Sequence, residues 1–224
     1  MVYNKKTIGL VALLTSGMLA FSAYVIATIP ADAQLPIHWN ASGEVDGYTS
    51  PLVAMLVLPV AAVVTSLLML VIPKLEVRRQ NLAQSHKLLA VSWIGTTLLL
   101  TLLHAGIGLI GLGYAVPFMT LIYVGMGLLF AAIGNVFGKS RSNHHAGIRT
   151  PWTLASDAVW DKTHRLAGRL WVLAGLLMIV SGLFLQPVAA TIVVVLVALS
   201  GALIPIIASY YFWRQEQAGS INPS

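Results

Sequence analysis

Asp161 and His164 stand three positions apart in the run DAVWDKTHRLAGR, so on a helix a carboxylate and an imidazole would lie one turn apart. Such a pair suits general acid–base chemistry, and His144-His145 and Arg149 nearby could join it as acid, base or anion clamp. A catalytic set needs more than this. No nucleophile with a base and an orienting group stands out, and neither an HExxH zinc helix nor a phosphate-cradling Walker loop occurs. Because the chain has no Cys, disulfides, zinc–thiolate centres and thiol nucleophiles are excluded too. These residues do not compose a catalytic set. No catalytic residue, metal or cofactor is assigned.

All five belong to the polar stretch from Gly134 to Arg169, which holds six of the thirteen Lys and Arg residues in a chain that is 58% hydrophobic. Lys139 and Arg141 can reach lipid headgroup phosphates, and Gly147 permits a turn. Pro151 restricts Thr150 to extended backbone, which makes GIRTPW an extended element. Helix then resumes, capped by Thr153 or Ser156, with Asp157 at its positive end and Asp161–Arg165 as an acid-before-base pair. Trp160, His164, Ala167 and Trp171 share one face as this interfacial helix runs on into a membrane span. That face suits docking of a cytoplasmic partner and anchoring among headgroups equally well.

A second polar segment, LPIHWNASGEVDGYTS, combines rigid Pro36, aromatic Trp39 and Tyr48, turn-forming Gly43 and Asp46-Gly47, and hydrogen-bonding His38 and Asn40. A compact hairpin or lid is expected there. The spacing of His38, Glu44 and Asp46 matches no strong metal-ligand template, and the Asn40-Ala41-Ser42 glycosylation triplet is too common to carry weight.

The elements that must position these segments are membrane helices. Only 9% of residues are charged and the mean hydropathy is +0.84, far too apolar for an ordinary soluble domain. Continuous apolar runs long enough to cross about 30 Å of hydrocarbon occur at Thr7 to Ile29, Leu52 to Ile72, Leu88 to Leu112, Val116 to Phe137, Leu166 to Gln186 and Val188 to Phe212. Strands of a barrel would alternate instead. The fold class is all-α, a polytopic membrane protein of six spans, read as a two-span region over 1–87 and a four-span region over 88–224 that includes the 138–169 segment. All thirteen Lys and Arg lie on one side, Arg169 within the first turn of span five and the rest outside the spans, while the opposite loops carry only Asp32, Glu44 and Asp46. The positive-inside rule therefore places both termini in the cytoplasm and the PIHWN loop outside. The same bias and the attraction of anionic lipid explain the pI near 9.8 without nucleic acid. Ala31-Asp32-Ala33 resembles a signal-peptidase site, but the preceding run is span length, which favours a retained helix.

Within the spans, Gly127-x-x-x-Ala131, Gly134-x-x-x-Gly138 and the seven-residue series Gly168, Gly175, Gly182 mark close helix contacts, more simply inside one chain than between two. Pro59 and Pro205 free backbone carbonyls and favour local kinks. Tyr210, Tyr211, Trp213 and Trp171 fit an interfacial aromatic belt. His104 is the clearest intramembrane ionisable residue, best accommodated as a neutral ring bonded to a neighbouring helix. No second charge lies deep in a span to complete a relay, which weakens a transport reading.

The strings GNxxGKxRxN, GIRTPWTL and VWxKTHR, in that order, resemble the Sdp immunity protein family, six-span bacterial membrane proteins linked to resistance against a secreted killing peptide. PIHWNxxGxxDGY resembles a domain of unknown function that commonly precedes that module. The chain departs from the pattern in the polar Ser142, His144 and His145, and in Pro51 after Ser50. The resemblance implies a cell-membrane immunity and signalling protein, with membrane lipids, a secreted peptide toxin and a cytoplasmic repressor as partners. A membrane-embedded enzyme acting on lipid or peptide, or a small-solute transporter, is the alternative. Carried over, Asn143, Gly147, Arg149, Thr150, Pro151, Trp152, Trp160, Lys162, Thr163, His164 and Arg165 are the candidate inner surface. His38, Trp39, Asn40, Asp46, Gly47 and Tyr48 are the candidate outer sensor or lid, coupled inward by a two-state shift of spans four and five.

Overall fold

In a bilayer each apolar run must close its backbone hydrogen bonds within itself, and the computed structural model, which describes residues 2–221, is accordingly built of helices. They are α1 (Lys5–Thr28), α2 (Pro51–Leu75), α3 (Arg79–Gln84), α4 (His86–Gly111), α5 (Phe118–Phe137), α6 (Pro151–Ala155), α7 (Asp157–Phe184) and α8 (Pro187–Ile221). Six of these, α1, α2, α4, α5, α7 and α8, are long and apolar enough to cross a membrane. The chain is an all-α, multi-pass membrane protein. The one sheet among the described residues is the antiparallel hairpin β1 (Leu35–Trp39) and β2 (Val45–Thr49) between α1 and α2.

Helices α1, α2 and α4 pack on one another, α7 lies between α5 and α8, and α4 against α5 joins the two groups. Aliphatic side chains along α2 (Val57, Val60, Val64, Leu67, Leu68) and α8 (Leu196, Leu199, Leu203, Ile207) stay exposed, as faces turned to lipid must be. Beneath the hairpin, Val25, Leu35, Ala54, Met55, Ile107 and Phe118 form a buried cluster. At the opposite, basic end, Tyr3, Val11, Leu82, Leu89 and Trp93 form another.

The two expected prolines do lie inside helices, α2 at Pro59 and α8 at Pro205. Each lacks the N–H that would have bonded the carbonyl four residues back. For Pro59 that carbonyl belongs to Met55, and Ser22 Oγ of α1 donates to it at 2.7 Å. For Pro205 it belongs to Gly201, and Trp171 Nε1 of α7 donates to it at 3.0 Å. A neighbouring helix thus completes each interrupted ladder, which makes the prolines points of helix attachment. Trp171→Phe, which keeps the ring stacked near Phe130 and removes the N–H, is expected to cost about 1 kcal/mol. Thermal unfolding of purified protein in detergent measures it, and an unchanged midpoint would show that lipid or water replaces the indole.

His104 is buried on α4 and joins α1, as expected for a neutral ring: its Nε2 lies 3.1 Å from the Met18 carbonyl and 3.2 Å from Ser22 Oγ. The carbonyl can only accept, so Nε2 carries the hydrogen. Nδ1 is then a buried acceptor with no partner among the described residues.

The small residues of α5 and α7 meet within the chain. A Cβ added at Gly134 would fall 2.8 Å from the Gly168 carbonyl oxygen, and one at Gly168 would fall 2.7 Å from that of Gly134. Gly127 and Gly175 face each other in the same reciprocal way. The helices run antiparallel, so a step of seven residues on one matches a step of seven on the other.

Candidate functional site

The PIHWN hairpin caps the end of the bundle away from the lysines and arginines, and most of its distinctive residues build it. Leu35 and Pro36 are buried, and the Trp39 ring stacks on Phe118 of α5 with centroids 3.9 Å apart. Asn40 Oδ1 accepts from the backbone N–H groups of Ser42 and Glu44, at 2.9 and 3.0 Å, which shapes the turn. Gly43 takes φ +83°, a conformation glycine adopts without strain. Asp46 bonds His38 Nδ1 across the strands at 2.5 Å, and a Cβ at Gly47 would come within 2.9 Å of His38 Cβ. Of the outer group, His38, Asp46 and Tyr48 are exposed, the first two as a bonded pair. Glu44 bonds Asn40 instead of joining His38 and Asp46.

At the basic end, residues 139–156 form a strap across the bundle, and Glu76 is its anchor. Glu76 caps the end of α2 with a side chain that is 0% exposed. Its carboxylate accepts from Arg78 N at 2.7 Å, His144 N at 2.9 Å, His144 Nδ1 at 3.0 Å and His145 Nδ1 at 2.6 Å. Since the ionised carboxylate can only accept, both histidines carry hydrogen on Nδ1. Burial alone would raise the Glu76 pKa, but these donors outweigh it and bring it down from 4.5 to about 2. Asn143, also buried, closes the turn: its Oδ1 accepts from His145 N and Ala146 N, and its Nδ2 donates to the carbonyls of Arg141 and Ala146. Arg78 donates to Ser142 Oγ and to the Leu154 carbonyl, and Asn81 donates to the Ser142 carbonyl. The strap reaches α8 as well, through Thr150 to Ser209 at 3.0 Å, Ser156 to Glu216 at 2.8 Å and Trp152 edge-on to Tyr210.

Beneath the strap, Trp160 and His164 are stacked with ring centroids 4.0 Å apart, both 0% exposed. His164 Nδ1 donates to the Trp160 carbonyl, and its Nε2 accepts from Ile148 N at 2.9 Å, so the ring is a neutral backbone bridge. Trp160 Nε1 donates to the Ser140 carbonyl. Gly147, at φ +123°, crosses directly over these rings, where a Cβ would collide with His164 Nε2 and sit 3.0 Å from Trp160. Glycine is therefore required for two reasons at this position.

Several local expectations change. Pro151–Ala155 is a short helix rather than extended, because Thr150 and Thr153 cap it reciprocally and proline is favoured at a first helical turn. Ser156, accepting from Val159 N, caps α7, which is one continuous helix from the interface into the membrane. Asp161 pairs with Arg141 at 3.1 Å instead of with Arg165. Arg141 is thereby turned from the headgroups toward its own chain. The imagined acid–base group is not assembled: His144 and His145 go to Glu76, Arg149 donates to the His144 carbonyl, and both His164 nitrogens are engaged. Of the inner residues, Asn143, Trp160, Thr163 and His164 are buried, Gly147, Thr150 and Trp152 are half-buried, and Arg149, Pro151, Lys162 and Arg165 are exposed. Glu76 escaped the sequence reading. Its signal was there: it is the one carboxylate between spans two and three, among Lys74, Arg78, Arg79 and Lys87.

Residues 139–209, the strap with α7 and most of α8, match the SdpI/YfhL protein family, and residues 13–63, which hold the hairpin, match the domain of unknown function DUF1648. A relative from Bacillus subtilis (strain 168), Immunity protein SdpI, is 28% identical over 197 residues, covering 88% of this chain and 92% of its own. The chain is SdpI-like. No solved structure matches it. In this SdpI-like chain the family-matched region coincides with the strap and the helices it rests on, while the second matched region supplies Ser22, Met55 and the hairpin packed against α4 and α5.

Proposed function

We propose that this chain is an integral membrane immunity protein that protects its cell from a secreted antimicrobial peptide. The observation that carries the reading is the similarity to Immunity protein SdpI over 88% of the chain and 92% of that relative. The chemistry of the basic end agrees with it: Glu76, His144, His145, Asp161 and His164 are engaged with one another, with Arg141 and with backbone, and enzyme and transporter readings are not favoured. Placement of all thirteen Lys and Arg at one end supports a cytoplasmic strap and an outward hairpin. On that orientation exposed His38 and Tyr48 would face the peptide. Exposed Arg149, Pro151 and Lys162 would be open to a cytoplasmic repressor, a finer reading that rests on the family resemblance.

The test is expression in a peptide-sensitive bacterium, with membrane potential followed by dye during challenge with a panel of membrane-active peptides. At least one peptide is expected to depolarise control cells and spare expressing cells. Equal depolarisation across the panel, with the protein verified in the membrane, would sink the proposal.

A further inference from the structure

Where α5 and α7 emerge at the basic end they leave a groove lined by Gly134, Asn135, Gly138 and Lys139 from one helix and its end, and by Arg165, Gly168, Arg169 and Val172 from the other. The spacing of the second set puts all four on one face of α7. Lys139, Arg165 and Arg169 are exposed, and no acidic side chain among the described residues pairs with them. The nearest candidate on α7, Asp161, is occupied by Arg141. Two like charges at i,i+4 repel, so Arg165 and Arg169 with Lys139 opposite form a concentration of positive charge that the protein leaves uncompensated.

We propose that this groove is a binding site for an anionic phospholipid, with its phosphodiester held between Lys139, Arg165 and Arg169. The floor explains why the ligand is a lipid rather than free phosphate. Gly134 and Gly168, where the two helix backbones meet, and Gly138 line the groove without side chains, and from Arg165 the α7 face continues to apolar Val172, about 10 Å further along the helix toward the bilayer. A glycerol backbone and the start of an acyl chain fit that polarity gradient, charged at one end and apolar at the other. The Arg165 stem packs over Gly138, with Cγ 3.3 Å from where a Cβ would stand, so the guanidinium is carried at the edge of the cleft. A lipid seated here would lie across the α5–α7 seam and reinforce it. This site is independent of the immunity reading and stands or falls without it.

Binding is measured by native mass spectrometry on the full chain in detergent, using phosphatidylglycerol, phosphatidylcholine with the same acyl chains, and inorganic phosphate as separate probes. Phosphatidylglycerol is expected to be retained and phosphatidylcholine lost. Arg165→Gln with Arg169→Gln should weaken retention roughly thirtyfold, at about fivefold per cation near a membrane surface. Lys87→Gln with Arg214→Gln removes the same charge elsewhere at the basic end and should leave retention unchanged. Equal loss in both double variants would reduce the effect to general electrostatics and overturn the site. Retention of both lipids alike, or saturation by inorganic phosphate without lipid, would overturn it also. Should the Arg165/Arg169 variant fail to fold, Lys139→Gln alone, beyond the end of α5, is expected to give the fivefold loss, and an unchanged affinity would count against the proposal.

Discussion

Gly175→Ala, the addition of one methyl group, is expected to destabilise the protein by about 3 kcal/mol or more, and Gly175→Leu to prevent α5 and α7 from closing. The new Cβ would collide with the Gly127 carbonyl oxygen and lie 2.7 Å from the Ala131 backbone nitrogen. Both are backbone atoms within a helix, so no side chain can swing away to make room. In lipid there is little hydrophobic drive between helices, and their association depends on the close packing that this methyl abolishes. The comparison that isolates the effect is Gly9→Ala on α1, where a Cβ meets nothing within 4 Å. That variant is expected to be neutral or slightly stabilising, because alanine is the better helix former. Thermal unfolding in detergent should place the Gly175→Ala midpoint roughly ten degrees below the parent, taking 2 to 4 degrees per kcal/mol for a chain of this size. Equal midpoints for the two variants would mean that the α5–α7 seam is looser than the backbone positions indicate.

The six spans and the hairpin were legible because their signals are local. A continuous apolar run admits one answer in a bilayer, and Asn40, Gly43 and Asp46-Gly47 specify a turn within a few residues of one another. Glycines at seven-residue spacing indicated an interface, and the choice between self-association and internal packing fell to the internal one because α5 and α7 carry complementary series. The basic end was harder to read. Helical spacing shows that Trp160 and His164 share a face, but whether that face meets a partner or the chain's own strap depends on where residues 139–150 return. Arg141 takes Asp161 from twenty positions away, a competition that the i,i+4 rule for Asp161 and Arg165 cannot weigh. Glu76 is the extreme case, because its donors on His144 and His145 lie 68 and 69 positions along the chain. Its isolation among cations was the only local trace.

Glu76→Ala is expected to cost about 3 to 5 kcal/mol and to release the strap, because the donors of Arg78, His144 and His145 would lose a buried acceptor together. Glu76→Gln separates shape from charge. It keeps the volume, but only one of the two former acceptor atoms can still accept, so part of the strap's attachment is lost while α2 and α4 stay packed. The pH dependence has a definite sign. The folded pKa of about 2 lies below the ordinary 4.5, so the carboxylate's contribution is fully present above about pH 4.5 and drains away as pH falls through 2. Its full size is roughly 3 kcal/mol, from the conversion of pKa difference to free energy. Unfolding midpoints between pH 5 and pH 2 should therefore fall in the parent and run flatter in Glu76→Gln. Parallel slopes would show that other carboxylates control acid sensitivity. Strap release is read separately by limited proteolysis between Arg141 and Arg149, sites the parent should protect and Glu76→Ala should expose. Because Glu76 caps the end of α2 and the strap lies between α5 and α7, the same carboxylate connects the helix group that carries the hairpin to the group that carries the family-matched region. If protection against a peptide requires the two groups to act together, Glu76→Gln should lower protection while the protein still reaches the membrane. Undiminished protection with a proteolytically open strap would confine Glu76 to stability.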